Sequence, residues 1–345
     1  MKVGRMNKRR SSSRSCLIAL VGLVIGGLVI AGRAWGDVGN MGPWGDQGDG
    51  TYKNPVLPGD YSDIDVIRVG SDYYMFSSTF QFSPGVIVLK SQDLVNWTII
   101  GHAVSDLTRM NSKYSYKTMN SYGYGVWAGS IRYHNHKFWI YWGTFDDGYF
   151  MTTATDPAGP WQPVARVAED SNPNYPGSGW DDPCVYWDEN GQEYFVGTEA
   201  ANGTRIHLWK VAPDGKTLLS STRVIVSRGK IGEANKIYKI GDYSYLMHSE
   251  FNGATREVYM LRAKNIWGDG GSPGHVGTYE KKKVEESTTG DRQPNQGGLI
   301  QTKSGSWWFL TQQGGDQYPR CRRQTGRAVA GVDRQWLAGP GRRHE

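Results

Sequence analysis

Three acidic residues far apart in the chain, Asp63, Asp182 and Glu233, each stand at the head of a similar stretch of sequence. The stretches read SDIDVIRVGSDYYMFSST from Ser62, DDPCVYWDENGQEYFVGT from Asp181 and EANKIYKIGDYSYLMHSE from Glu233. Two more open without an acid at that point: AGSIRYHNHKFWIYWGT from Ala128 and NQGGLIQTKSGSWWFLTQQ from Asn295. Grouped carboxylates raise one another's pKa, and partial burial raises it further. One acid can then keep its proton near neutral pH while another is ionised, the division of labour that hydrolysis of a glycosidic bond requires. A single acid before a strand is commonly a solvated turn residue. Its recurrence in three units is what makes chemistry worth considering.

The units themselves supply the positioning. Each is a short strand, a polar Gly- or Asn-containing turn, and an aromatic-rich strand ending in small residues. Their heads fall at Asp63, Ser130, Asp182, Glu233 and Gln296, at spacings of 67, 52, 51 and 63 residues. Self-similarity at about 40–50 residues with four strands per repeat marks a propeller blade. The outer halves repeat as well, in GVIVLKSQDLVNWTII from Gly85, YFMTTATDPAGPWQPV from Tyr149, REVYMLRAKNIWG from Arg256 and, more loosely, RIHLWKVAPDGKTLL from Arg205. Insertions over 106–124 and 268–292 account for the longer intervals. The expectation is an all-β, five-bladed β-propeller over residues 61–313, with four complete blades and an incomplete fifth. Innermost strands run along the central channel, so acids at their heads would meet at its mouth.

Composition agrees with that fold class. Hydrophobic residues make up only 38% of the 345, but 14 Trp and 20 Tyr can build an aromatic core, and 46 Gly suit many tight turns. The net charge of +6 is uneven: residues 1–36 carry seven Lys/Arg and no acid, residues 320–345 carry a net +5, and the remainder is −6. A nucleic-acid partner would call for a basic face on the folded body, so none is expected. Residues 1–36 read as a secretory signal: basic residues, the apolar run Cys16–Ala31, then Ala34-Trp35-Gly36 as a small-x-small cleavage site. Secretion, with no stable membrane association after cleavage, follows from that reading. Residues 37–60 form a lead-in loop. Cys184 reads as a buried small hydrophobe, and no Cys/His cluster has metal-ligand spacing. After Gln313 the strand pattern gives way to an Arg- and Gly-rich stretch. Residues 314–345 are expected to be a disordered or frame-shifted tail.

The stretch NPVLPGDYSDIDVIRVGSDYYMFSSTFQFSPGVIVLKSQDLVNWTIIGHAV from Asn54 resembles the opening of glycoside hydrolase family 43. The resemblance continues through GVWAGSIRYHNHKFWIYWGT, GWDDPC, GEANKIYKI and PNQGGLIQTKSGSWWFLTQQ, over about residues 54–313. It implies an inverting glycosidase of β-xylosidase or α-L-arabinofuranosidase type on a five-bladed propeller, truncated at its C-terminal end. Asp63 then matches the general base, Asp182 the acid that tunes and orients the proton donor, and Glu233 the general acid. Asp65, two residues on, would lie on the same side of a regular strand and is the fallback base, while Asp181 would face away. Phe80 and Trp127 match sugar-subsite walls, Gln296 is a candidate to bond a hydroxyl, and His248 could line the channel. The substrate implied is a pentose-containing poly- or oligosaccharide. No cofactor is required, and no residue can be assigned to a structural calcium on the axis. The family's later strands bring an Arg to the pocket, and none is recognisable after Gln313.

Two other classes compete. A carbohydrate-binding propeller without catalysis would share the repeats. A retaining, invertase-like propeller would need an N-D-P-N-G segment near the start, which this chain lacks.

Overall fold

Alternating apolar residues and frequent glycine turns commit this chain to short antiparallel strands. The computed structural model describes residues 45–286 apart from 58, 119, 202, 229–231 and 253–254, together with 294–313 and 327–330. All of these fall in one compact unit, Pro43–Glu345. The signal-like segment over 1–36 and most of the basic tail lie outside the described residues.

A two-stranded ribbon of β1 (Gly45–Asp46) and β2 (Tyr52–Lys53) leads in. The first sheet is β3 (Ser62–Val69), β4 (Asp72–Ser78), β5 (Gly85–Ser91) and β6 (Thr98–Val104). The second runs through β7 (Gly129–His134), β8 (Lys137–Thr144), β9 (Gly148–Ala154) and β10 (Ala165–Glu169). The third starts with β11 (Trp180–Trp187), β12 (Glu193–Glu199) and β13 (Arg205–Lys210). The chain then lends the two-residue β14 (Thr217–Leu218) to the edge of β10 before β15 (Val224–Arg228) completes the third sheet. The fourth is β16 (Gly232–Ile240), β17 (Tyr243–Asn252), β18 (Thr255–Ala263) and β19 (Glu280–Glu286). A last sheet holds β20 (Pro294–Gln301), β21 (Trp307–Gln313) and β22 (Arg327–Ala330).

Four sheets therefore have their full strands, and the arrangement is all-β and propeller-like. Two sequence expectations need correction. The insertion over 268–292 contains β19, a Lys/Glu strand whose charges had disguised it. The tail over 314–345 contributes β22, paired to β21 from Trp308↔Ala330 to Thr311↔Arg327.

Consecutive sheets pack face to face through separate apolar clusters. Tyr74, Phe76 and Val88 of the first sheet meet Ile140 and Trp142 of the second. Tyr149 meets Phe195 and Trp209, and Val196 and Leu208 meet Leu246 and Leu261. Met247 and Met260 meet Leu299 and Phe309, while Leu310 and Ile300 pack back on Val66 and Met75. Aromatic payload thus replaces the aliphatic residues that the composition lacks.

The inner strands β3, β11, β16 and β20 share one irregularity. Each pairs at its head, skips two residues, and resumes pairing. Ser62 pairs with Ser78 and then Asp65 with Phe76; Asp181 pairs with Thr198 and then Cys184 with Val196. Glu233 pairs with Ser249 and then Lys236 with Met247; Asn295 pairs with Gln312 and then Gly298 with Leu310. In each case two residues face one, which is a β-bulge. The first bulged residue has positive φ: Asp63 54°, Asp182 56°, Ala234 67° and Gln296 58°. Non-glycine residues hold that conformation at about 1–2 kcal/mol each. Such strain persists only where surrounding packing enforces it.

Candidate active site

The bulges correct the equivalence read from sequence. Asp63 and Asp182 occupy the same bulge position, but its counterpart in β16 is Ala234, and Glu233 stands one residue earlier. The bulge also breaks strict alternation, so Asp65 does not share the outlook of Asp63. It is fully buried, accepts from Ile131 N at 3.0 Å and pairs with the Arg132 guanidinium.

The three predicted acids meet at the heads of β3, β11 and β16. Asp63 and Asp182 are buried, while the Glu233 side chain keeps 24% of its surface. Asp63 N donates to Gln312 Oε1, and Ser62 Oγ donates to Asp63 Oδ2 at 3.2 Å. Gln296 Nε2, from the head of β20, donates to Asp182 Oδ1 at 2.7 Å. Asn235 Nδ2 braces the same loop, donating to the Asp182 carbonyl at 3.0 Å and to Thr198 Oγ1 at 2.7 Å. Burial, then the charge of Glu233, and further the charge of Asp63, push the Asp182 carboxyl up to about 7, against the opposing Gln296 hydrogen bond and Lys236 charge. The three acids therefore share one electrostatic field. Asp181 faces away from Asp182, towards the second sheet. Glycine at 143 makes room for it, since a Cβ there would lie 2.1 Å from Asp181 Oδ1. Its carboxyl is raised well above the usual range, by burial first and then by the Asp182 charge.

The other predicted residues divide. Gln296 joins the acids, and its Oε1 is buried with no hydrogen-bond partner among the described residues. Phe80 and Trp127 stand edge to face with ring centroids 6.2 Å apart, tied by the Phe80–Val126 bridge to the head of β7. His248, read as a residue that could line the channel, stands on β17, the second strand of its sheet, and not on the inner β16. It is buried against Glu250, Nε2 to Oε1 at 2.9 Å, and burial lowers its pKa. Asn235, Lys236 and Arg256 are among the residues that escaped the sequence reading, as are Gln312 and Arg132. Arg256, early in β18, pairs with Glu233 while its guanidinium lies 3.7 Å from the Phe251 ring centroid. An arginine near a hairpin, followed by apolar residues, was the only signal for it.

A charged layer fills the axis below the acids. Arg132 bonds Asp65, the Val185 carbonyl at 3.1 Å and Cys184 Sγ at 2.7 Å. Lys236, also buried, reaches across to the Gly129 carbonyl at 3.3 Å. Cys184 is buried as expected, and burial raises its thiol pKa, yet the sulfur is a polar partner as well as a space-filler. Glycine at 298 admits Asp65, because a Cβ would lie 2.7 Å from Asp65 Oδ1. Two cations, a paired carboxylate and a thiol do not suit a calcium ion at this level. Among the described residues, no group of three or more His, Cys, Asp or Glu is arranged to hold a metal.

Buried carboxylates converging at the mouth of a propeller-like ring are the arrangement expected of a glycosidase. The model of "Glycosyl hydrolases family 43" matches residues 52–337. The chain belongs to glycoside hydrolase family 43. A putative β-xylosidase of Xylanibacter ruminicola is 40% identical over 270 residues, 77% of this chain and 46% of that protein. A non-reducing end α-L-arabinofuranosidase of Bacteroides ovatus is 33% identical over 277 residues, 75% of this chain and 47% of that protein. The chain thus spans about half the length of the curated family 43 relatives it matches. A crystal structure of a mutant family 43 protein from Bacillus licheniformis superimposes with a TM-score of 0.65 at 26% identity, covering 84% of this chain and 57% of that one.

Proposed function

We propose that the protein is a secreted, inverting glycoside hydrolase that releases D-xylose or L-arabinofuranose from plant cell-wall polysaccharide of arabinoxylan or arabinan type. The observation that carries this reading is the convergence of Asp63, Asp182 and Glu233 on one mouth, with Asp182 raised to about 7. Asp63 takes a proton from water, whose oxygen attacks the anomeric carbon. Glu233 gives a proton to the departing glycosidic oxygen as the carbon–oxygen bond breaks. The products are a free sugar of inverted configuration and a shortened chain bearing a hydroxyl. Asp182 holds the donor in place and sets the charge around it. Phe80 and Trp127 wall the sugar, and the unpartnered Gln296 Oε1 accepts from a hydroxyl. Both proton transfers belong to side chains, so no cofactor is required. The scaffold is read as a five-bladed propeller. That reading is supported by the circuit of apolar clusters, which passes through all five sheets and returns to the first.

The Arg256–Glu233 pair favours a second reading, a carbohydrate-binding propeller without catalysis. In it, an arginine occupies the carboxylate that would have to deliver a proton. Turnover of p-nitrophenyl β-D-xyloside and α-L-arabinofuranoside separates the two. Hydrolysis of either, falling about 10²–10⁴-fold in Asp63→Asn, supports the enzyme. Sugar binding without turnover, unaltered in Asp63→Asn and Glu233→Gln, supports the binding module.

A further inference from the structure

The insertion over 106–124 does more than lengthen a loop. It begins in two 3-10 turns, Leu107–Arg109 and Ser112–Tyr114, capped by Asp106 and Asn111. Lys113 then ties it to Asp146 at 3.3 Å and Asp147 at 3.0 Å, and Tyr114 Oη donates to Asp147 Oδ2 at 2.7 Å. Those two aspartates lie in the turn that follows β8. The last residues of β8 stand beside the head of β7, so the insertion is anchored on the side of the ring where the acids lie. Between it and the loop after β4 is a cavity of about 400 Å³, lined among others by Gln81, Asp106, Lys113, Tyr116 and Tyr122.

The lining has the chemistry of a carbohydrate site. Tyr116 is 79% exposed, Tyr122 61% and neighbouring Phe82 64%, an unusual run of open aromatic rings. Sugar rings place their C–H faces on such rings and their hydroxyls on polar groups, here Gln81, Ser83, Asp106 and Thr108. Positive and negative side chains are mixed around it, which suits a neutral chain better than a polyanion. The aromatic surface is continuous with the mouth. Tyr124 stacks on Trp127 at 5.9 Å, Trp127 on Phe145 at 5.4 Å, and Gln81 directly follows Phe80.

We infer that this groove binds the sugar units next to the one being cleaved, so that the protein acts on the ends of chains rather than on disaccharides. The inference rests on the glycosidase reading for its direction, but the groove can be tested alone. Compare kcat/KM for xylobiose with xylohexaose, and for arabinobiose with arabinohexaose, in the wild type and in Tyr116→Ala/Tyr122→Ala. The wild type should prefer the longer chain of its own sugar by about tenfold, and the double variant should lose that preference. Both residues are exposed, so the double variant should keep the wild-type thermal midpoint, which controls for folding. Equal values for short and long chains in the wild type, or a preference surviving in the variant, would overturn the proposal. Should no glycoside be turned over at all, the hydrolase reading fails separately. Tryptophan fluorescence titration with each hexasaccharide then decides the groove: tighter binding by the wild type than by the variant upholds it, and equal or absent binding overturns it.

Discussion

Asp182 is where burial and charge act most measurably on a single side chain. Its carboxyl rises from 3.8 to about 7, first through burial and then through the charge of Glu233. Between those values the folded protein holds a proton that the unfolded chain has released, so stability falls as pH rises. The stabilising contribution is complete below the unfolded value and lost as pH passes about 7. Asp182→Asn keeps the shape and the Gln296 hydrogen bond without the charge. Its thermal midpoint should match the wild type near pH 4 and exceed it by several degrees near pH 8, at about 2–4 °C per kcal/mol. A constant difference across that range would show that Asp182 is not the titrating group. The acid types themselves were legible, because Asp63, Asp182 and Glu233 head recurring stretches. Arg256 was not, since its pairing with Glu233 depends on the register of β18 against β17 and of β17 against β16.

At the scale of the element, the repeated bulge is what aims the acids. Strand alternation was readable from apolar spacing, and it predicts that Asp65 looks the same way as Asp63. The bulge overrules that rule, sending Asp63 to the mouth and Asp65 to Arg132. Nothing in SDIDV or DDPCV announces a left-handed residue, because aspartate carries the conformation without the glycine that usually signals it. The third bulge, in β16, places an alanine at φ 67°. Ala234→Gly relieves the strain and should raise stability by about 0.5–1 kcal/mol in urea unfolding. Ala103→Gly, in the regularly paired end of β6, should lower it by a similar amount.

Across the whole molecule, ring order follows chain order, which is why five spaced units sufficed to infer a propeller-like fold. The axis did not follow from those units. Arg132, Asp65 and Lys236 are ordinary charges in sequence, and only closure of the sheets buries them together. Removing one partner leaves an uncompensated buried charge. Arg132→Met should therefore cost roughly 3–5 kcal/mol in urea unfolding. Adding Asp65→Leu should restore much of the loss, which a pair confined to the surface would not do. The last sheet supplies Gln296 to Asp182 and Gln312 to Asp63, so the site draws on it as well as on the four complete sheets. In the proposed mechanism these converging carboxylates invert a glycosidic centre. Proton NMR of the sugar first released from an aryl β-D-xyloside or α-L-arabinofuranoside tests it most directly. α-Xylose from the β-xyloside, or β-arabinofuranose from the α-arabinofuranoside, should appear first and then mutarotate. Release of the retained anomer would contradict it.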